Sequence, residues 1–126
     1  MTAFPLPVIQ HRTFDASLAI DNATLRVKLA GTADLLVQQQ LSAFLDAVHT
    51  CATDHLATSV LVDLNDLGFI NSSCLKSMVT WIFKVRTEEK PRQYQIIFLT
   101  DPKARWQQRS FHALSSMCAE LVSTQE

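Results

Sequence analysis

The stretch that most constrains this chain is Ser59-Val60-Leu61-Val62-Asp63-Leu64, together with the segment running on to Ile82. The run is compact, apolar and rich in β-branched residues. It suits a strand buried on both faces, as in a parallel sheet covered by helices. Asn65-Asp66-Leu67-Gly68 then reads as a turn. Phe69 and Ile70 are apolar again, and Asn71-Ser72-Ser73 supply the side chains that cap helix N-termini. Leu75, Met78, Val79 and Ile82 recur at the spacing of one helical face, which predicts a helix from about Ser72 to Glu88.

The rest of the chain extends this pattern. Pro5 and Pro7 predict an extended N-terminal lead-in over residues 1–14. Ser17-Leu18-Ala19-Ile20 is mostly apolar, Asp21-Asn22-Ala23 has turn chemistry, and Leu25-Arg26-Val27-Lys28-Leu29 alternates like a half-buried strand. Together they predict an opening β-hairpin, with an antiparallel pair at or near a sheet edge. After the break at Gly31-Thr32-Ala33-Asp34, residues Leu41, Phe44, Leu45 and Val48 predict a helix from about Leu35 to Cys51. Beyond Pro91, Gln95-Ile96-Ile97-Phe98-Leu99 is a further strand. Thr100-Asp101-Pro102 places a capping residue ahead of a proline, which predicts a helix start, and that helix runs to about Met117 or Cys118. Leu121-Val122-Ser123 is the candidate for a last short strand. Strands alternating with helices in this way predict one α/β domain over residues 1–126, a mixed, mainly parallel sheet with helices packed on it.

Bulk properties narrow the function. The 126 residues suffice for one domain, and 48% of them are apolar, enough for a core. A formal net charge of −1 offers no field of one sign, so neither nucleic acid nor an anionic membrane is an expected partner. Cys51, Cys74 and Cys118 are odd in number and widely spaced, which argues against a disulfide framework. No Cys/His spacing suits zinc, and no metal or cofactor is expected. The start, MTAFPLPVIQHR, lacks the basic segment and long apolar run of a signal peptide, and no apolar run approaches the roughly 18 residues of a membrane span. The expectation is a reduced, cytoplasmic protein.

The chemistry concentrates where the strand ends and the second helix begins. Backbone N–H groups at a helix start lack intrahelical partners, so a phosphate on a serine there is accommodated without melting the helix. It would add roughly −1.5 to −2 charge to a nearly neutral surface. The plainer alternative is that Asn71, Ser72 and Ser73 only cap the helix.

The stretch Leu67-Gly68-Phe69-Ile70-Asn71-Ser72-Ser73-Cys74-Leu75 resembles the signature of STAS domains, the family of anti-sigma-factor antagonists and sulfate-transporter domains. There a buried strand leads through Leu-x-Phe-hydrophobic into Asp-Ser-Ser-Gly or Asp-Thr-Ser-Gly and an apolar helix. The segment from Leu25 to Asp34, LRVKLAGTAD, is similar to the family's early strand, and the element order agrees from about Ser17 onward. The resemblance implies a non-enzymatic regulatory binding protein that switches partners under serine phosphorylation. Ser73 falls on the serine that family kinases modify, with Ser72 the fallback. Asp34, Asn71, Ser72, Ser73, Cys74 and Lys76 are the implied partner-binding set. The implied partners are an anti-sigma factor or serine kinase of histidine-kinase-like fold, or a diguanylate-cyclase-type output protein, and a metal-dependent serine/threonine phosphatase. A homodimer is left open. Asn71 stands where the family has aspartate and Cys74 where it has glycine, so a second reading stays open: a constitutive scaffold that is not phosphorylated.

Other residues are weaker candidates. Cys74 at a helix N-terminus is either an activated thiolate or a small buried side chain. An enzyme using Cys74 or Ser73 needs a histidine, yet His11, His49, His55 and His112 are all remote in sequence. No Gly-x-Ser-x-Gly elbow is present, and two glycines cannot make a phosphate loop. Trp106, Phe111 and Leu114 in the last helix are either core anchors or, with Lys103, Arg105 and Arg109, part of a surface for an acidic partner. Trp81 or Phe83 is a candidate outward-facing anchor.

Overall fold

The computed structural model describes residues 6–126. Ten elements follow in order: β1 (Val8–Gln10), β2 (Phe14–Asp21), β3 (Thr24–Ala33), α1 (Gln38–Asp54), β4 (Ser59–Ile70), α2 (Ser72–Thr87), a single 3-10 turn (Lys90–Arg92), β5 (Gln95–Leu99), α3 (Arg105–Met117) and β6 (Val122–Gln125). The six strands form one sheet in chain order. The β1–β2 and β2–β3 pairs are antiparallel, and the β3–β4, β4–β5 and β5–β6 pairs are parallel. The mixed, mainly parallel α/β sheet and the opening hairpin expected from the sequence are both present. The expected lead-in contains β1, which pairs with β2. Its first five residues lie outside the described residues.

Alternation decides which face is covered. Phe14, Ala16 and Leu18 of β2, Leu25, Val27 and Leu29 of β3, Val60, Val62 and Leu64 of β4, and Ile96 and Phe98 of β5 are all buried in one cluster. Leu41, Phe44, Leu45 and Val48 of α1, Met78, Trp81 and Ile82 of α2, and Phe111 and Leu114 of α3 complete that cluster. The intervening strand residues, such as Asp15, Ser17, Arg26 and Lys28, are exposed. Leu61, Asp63, Ile97 and Leu99 are half-buried. The helices therefore cover one face only. This corrects the expectation that Ser59–Leu64 is buried on both faces: its alternate residues face away from the helices.

Two turns set the hairpin and its far end. Asn22 takes a positive φ of 58° in the loop closed by the Asp21–Thr24 pair, a conformation that asparagine tolerates better than most residues. Gly31 has φ 97°, and a Cβ there would lie 2.2 Å from the Thr13 carbonyl oxygen, so this position requires glycine for both reasons.

Three expected boundaries move. The turn expected at Asn65–Gly68 is absent, and β4 stays extended to Ile70, with register shifts against β3 in place of a reversal. Its pairing with β5 stops at Asp63–Leu99, so the carbonyls beyond have no strand on that side. The fully buried Gln107 of α3 supplies the missing donor: its Nε2 donates to the Leu64 oxygen at 2.7 Å and the Leu67 oxygen at 2.8 Å. Helix α1 starts at Gln38 and not Leu35, because Asp34 makes a local turn in which its Oδ1 accepts from Leu36 N and its carbonyl from Val37 N. Helix α3 starts at Arg105 and not beside Pro102. The Asp101 side chain accepts from Lys103 N, and α3 has no side-chain cap.

Candidate functional site

The C-terminal ends of β3 and β4 bring the predicted residues together. Asn71 N donates to the Ala33 carbonyl at 2.9 Å, which sets the end of β4 against the β3–α1 loop. Asn71 is the N-cap of α2: its Oδ1 accepts from Cys74 N at 2.9 Å, and its carbonyl accepts from Leu75 N at 3.0 Å. Ser72 and Ser73 are the first two helical residues. Ser72 is exposed, whereas Ser73 is half-buried and faces the seam between α1 and α2. Lys76, one turn on, is exposed at the rim of the same seam.

Cys74 points inward. It is fully buried, and its Sγ donates to the Asp34 carbonyl at 3.5 Å. Burial first, and the Asp34 carboxylate second, push its thiol pKa upward. The activated-thiolate reading is corrected by this geometry: the thiol is held protonated and out of reach. Asp34 thus sits beside Cys74 through its backbone, while its own carboxylate shapes the loop.

Three residues that sequence reasoning missed stand at the same end. Leu35 and Leu36 are 76% and 67% exposed, and Phe69, paired with Thr32 across the strands, is 50% exposed. The helical spacing predicts Leu35 as the start of α1, which begins at Gln38. The signal that could have separated it is the Asp34 turn, which delays the helix. These apolar side chains stand at the same end of the sheet as the two serines.

Two of the histidines are engaged elsewhere. His49 lies within a buried network: Trp81 Nε1 donates to the Tyr94 oxygen at 2.9 Å, the Tyr94 hydroxyl meets His49 Nδ1 at 2.7 Å, and His49 Nε2 meets Glu88 Oε2 at 2.8 Å. Burial pushes the Tyr94 phenol pKa far upward, so it stays protonated. His55 bonds to the Cys51 carbonyl of its own helix. Trp81 is buried, so of the two candidate outward anchors only Phe83 is exposed, and it carries the Arg86 guanidinium 6.0 Å from its ring centre. In α3, Phe111 and Leu114 are core residues and Trp106 packs against them, with Lys103, Arg105 and Arg109 exposed. Among the described residues, no cluster of three His, Cys, Asp or Glu side chains is placed to hold a metal, and no helix is long and apolar enough to cross a membrane.

The architecture is similar to that of solved structures. An anti-sigma factor antagonist from Mycobacterium paratuberculosis matches with a TM-score of 0.59 and 14% identity, over 83% of this chain and 82% of its own. The anti-sigma factor antagonist SpoIIAA in its unphosphorylated form matches with a TM-score of 0.52 and 16% identity, over 88% and 87%. The chain has the STAS fold. No family model and no curated protein matches its sequence. Within the STAS fold of this chain, the segment that resembles the family's phosphorylation motif occupies the β4–α2 junction, next to the β3–α1 loop.

Proposed function

We propose that this protein is a non-enzymatic partner-switching regulator in the manner of anti-sigma-factor antagonists, acting in the cytoplasm, with Ser73 as its switch and Ser72 as the fallback. The observation that carries the reading is the placement of the β4–α2 junction against the β3–α1 loop. Ser73 stands at the start of a capped helix, at the end of the sheet where Leu35, Leu36 and Phe69 are exposed. The apolar residues supply a docking area from which water is expelled on binding. A phosphate on Ser73 places roughly two negative charges at the edge of that area, where desolvating them opposes association. The partner is an anti-sigma factor or serine kinase of histidine-kinase-like fold, and a serine/threonine phosphatase resets the switch. Asp34 and Lys76 act as rim contacts, and Asn71 holds the helix start.

The departures from the family motif are compatible with this role. Asn71 makes the capping bond that an aspartate makes. Cys74 turns its side chain into the core and is fully buried, so its side chain adds no bulk to the surface a partner would meet. The neutral Asn71 favours the second reading, a constitutive scaffold: if a kinase uses a carboxylate there, this chain offers none.

Intact-mass measurement and phosphosite mapping on protein isolated from its native cell, as wild type and as Ser73→Ala, decide between them. A phosphate on Ser73 that disappears in the variant supports the switch. Absence of phosphate across growth conditions sinks it in favour of the scaffold.

A further inference from the structure

Helices α1 and α2 run side by side in the same direction, joined by polar contacts: Gln38 and Ser42 to Ser77, Asp46 to Lys84, and His49 to Glu88. The seam is packed tightly at its far end by Trp81 and Tyr94. A groove of about 430 Å³ runs along the seam from Ser73 to Lys84, and at its Ser73 end it is lined by Gln38, Ser42, Lys76 and Ser77. Ser77 is buried on the face of α2 that otherwise carries Cys74, Met78 and Trp81, so the wall of the groove is a hydroxyl where an apolar side chain would close it.

The groove is furnished with hydrogen-bond donors. Gln38 Nε2 donates to Ser42 Oγ at 3.3 Å and to Ser77 Oγ at 3.2 Å, and those two hydroxyls lie 2.7 Å apart. Lys76 adds a cation at the rim with no ion-pair partner among the described residues. Asp46, the acidic residue in the lining, is engaged by Lys84 further along the seam. Ser73 opens into this space one turn before Ser77, whose hydroxyl donates to the Ser73 carbonyl at 3.4 Å. Ser72 does not line it.

We propose that the groove receives the phosphate carried by Ser73, with Lys76 Nζ and Gln38 Nε2 as its ligands. This rests on the reading of Ser73 as the modified residue. The phosphate comes from a nucleoside triphosphate: Ser73 Oγ forms the new P–O bond, the bond to the departing diphosphate breaks, and the hydroxyl proton passes to a base on the kinase. Lys76 is three residues on and within reach on the same helix face. Gln38 exchanges two neutral hydroxyl acceptors for a charged oxygen, a stronger bond. The modification then ties α1 to α2 and closes the groove as well as adding charge.

The test installs phosphoserine at position 73 by genetic-code expansion, so no kinase is involved. Phosphorus NMR titration reads the second phosphate pKa in the otherwise unaltered protein, in Lys76→Gln and in Gln38→Met, with the melting point of each unmodified protein as the folding control. The expected value is about one unit below the ordinary value of about 6, with recovery of about half a unit in each variant. Phosphoserine placed at the exposed position 72 is expected to be indifferent to Gln38→Met. A value at position 73 that neither variant moves overturns the proposal, because the phosphate then stands in solvent. Failure of phosphosite mapping in cells would sink the switch reading and leave this titration unaffected, so the two failures are told apart.

Discussion

Replacing Tyr94 by phenylalanine removes one oxygen and tests how the core is held together. That oxygen accepts from Trp81 Nε1 at 2.9 Å and meets His49 Nδ1 at 2.7 Å. Trp81 and Tyr94 are 1% and 2% exposed, so no water reaches the indole N–H once its acceptor is gone. An orphaned buried donor costs about 1–3 kcal/mol. His49 is better placed: its side chain is 12% exposed, and Glu88 still holds Nε2, so its Nδ1 can recover a water. The ring itself stays, so no cavity larger than an oxygen is left. The expected loss is about 2 kcal/mol, which for a chain of this length is a fall of about 6–10 °C in melting temperature. Urea unfolding followed by tryptophan fluorescence measures it, with the slope m unchanged if only stability has altered. The double substitution Tyr94→Phe with Trp81→Phe removes donor and acceptor together. Its cost should be less than the sum of the two single costs by about 1 kcal/mol or more. A loss below about 0.5 kcal/mol for Tyr94→Phe, or strict additivity in the double variant, refutes the reasoning.

Gln107→Leu keeps the volume but orphans the Leu64 and Leu67 carbonyls and Asp101 N, and an expected loss of about 2–4 kcal/mol is read by urea unfolding. Gly31→Ala is expected to destabilise by more than about 2 kcal/mol, because φ is 97° and the new Cβ meets the Thr13 oxygen. Gly68→Ala, whose nearest neighbour would be 3.6 Å away, is expected to stay within about 1 kcal/mol in the same melting assay. Thiol titration of the native protein at about pH 8 should leave Cys74 unmodified and reach it only on unfolding, since burial both shields it and raises its pKa. Cys51, Cys74, Cys118 and Tyr94 all have folded pKa values raised above their unfolded ones. Above roughly pH 8.5 the unfolded chain therefore releases protons that the folded chain retains, and stability should fall with rising pH, as urea midpoints from about pH 7 to 10 will record.

Periodicity made most of the fold legible. The alternation of Leu25, Val27 and Leu29, and the helical spacing of Leu41, Phe44, Leu45 and Val48, are local signals, and the structure follows them. The misreadings share one cause, which is that periodicity does not show where backbone N–H and C=O groups find their partners. Asn65-Asp66-Leu67-Gly68 has turn composition, yet it remains strand because β3 pairs with it, Ala30 with Asp66 and Gly31 with Leu67, and Gln107, far along the chain, bonds to the Leu64 and Leu67 carbonyls on the other side. Leu35 looks like the first residue of a helix until Asp34 is seen to take up the N–H groups of Leu36 and Val37. Asn71, Ser72 and Ser73 were readable as a helix start because capping is itself local.

The groove beside Ser73 was hidden for a different reason. Ser77 sits at a core position of α2 and reads, in sequence, as a polar interruption of an apolar stripe. Its bonds to Ser42 and Gln38 across the seam and to the Ser73 carbonyl make the burial of a hydroxyl tolerable, since an unpaired one would cost about 1–3 kcal/mol. Leucine at both serine positions would fill the gap and gain apolar burial without that requirement. Small hydroxyl side chains at both positions therefore forgo core packing at the one end of the seam where Ser73 stands. Meanwhile Trp81, Tyr94, His49 and Glu88 hold the other end together with aromatic bulk and a continuous chain of hydrogen bonds. In the proposed switch a charge placed on Ser73 draws α1 and α2 together along this groove, above the core that Trp81 and Tyr94 fill.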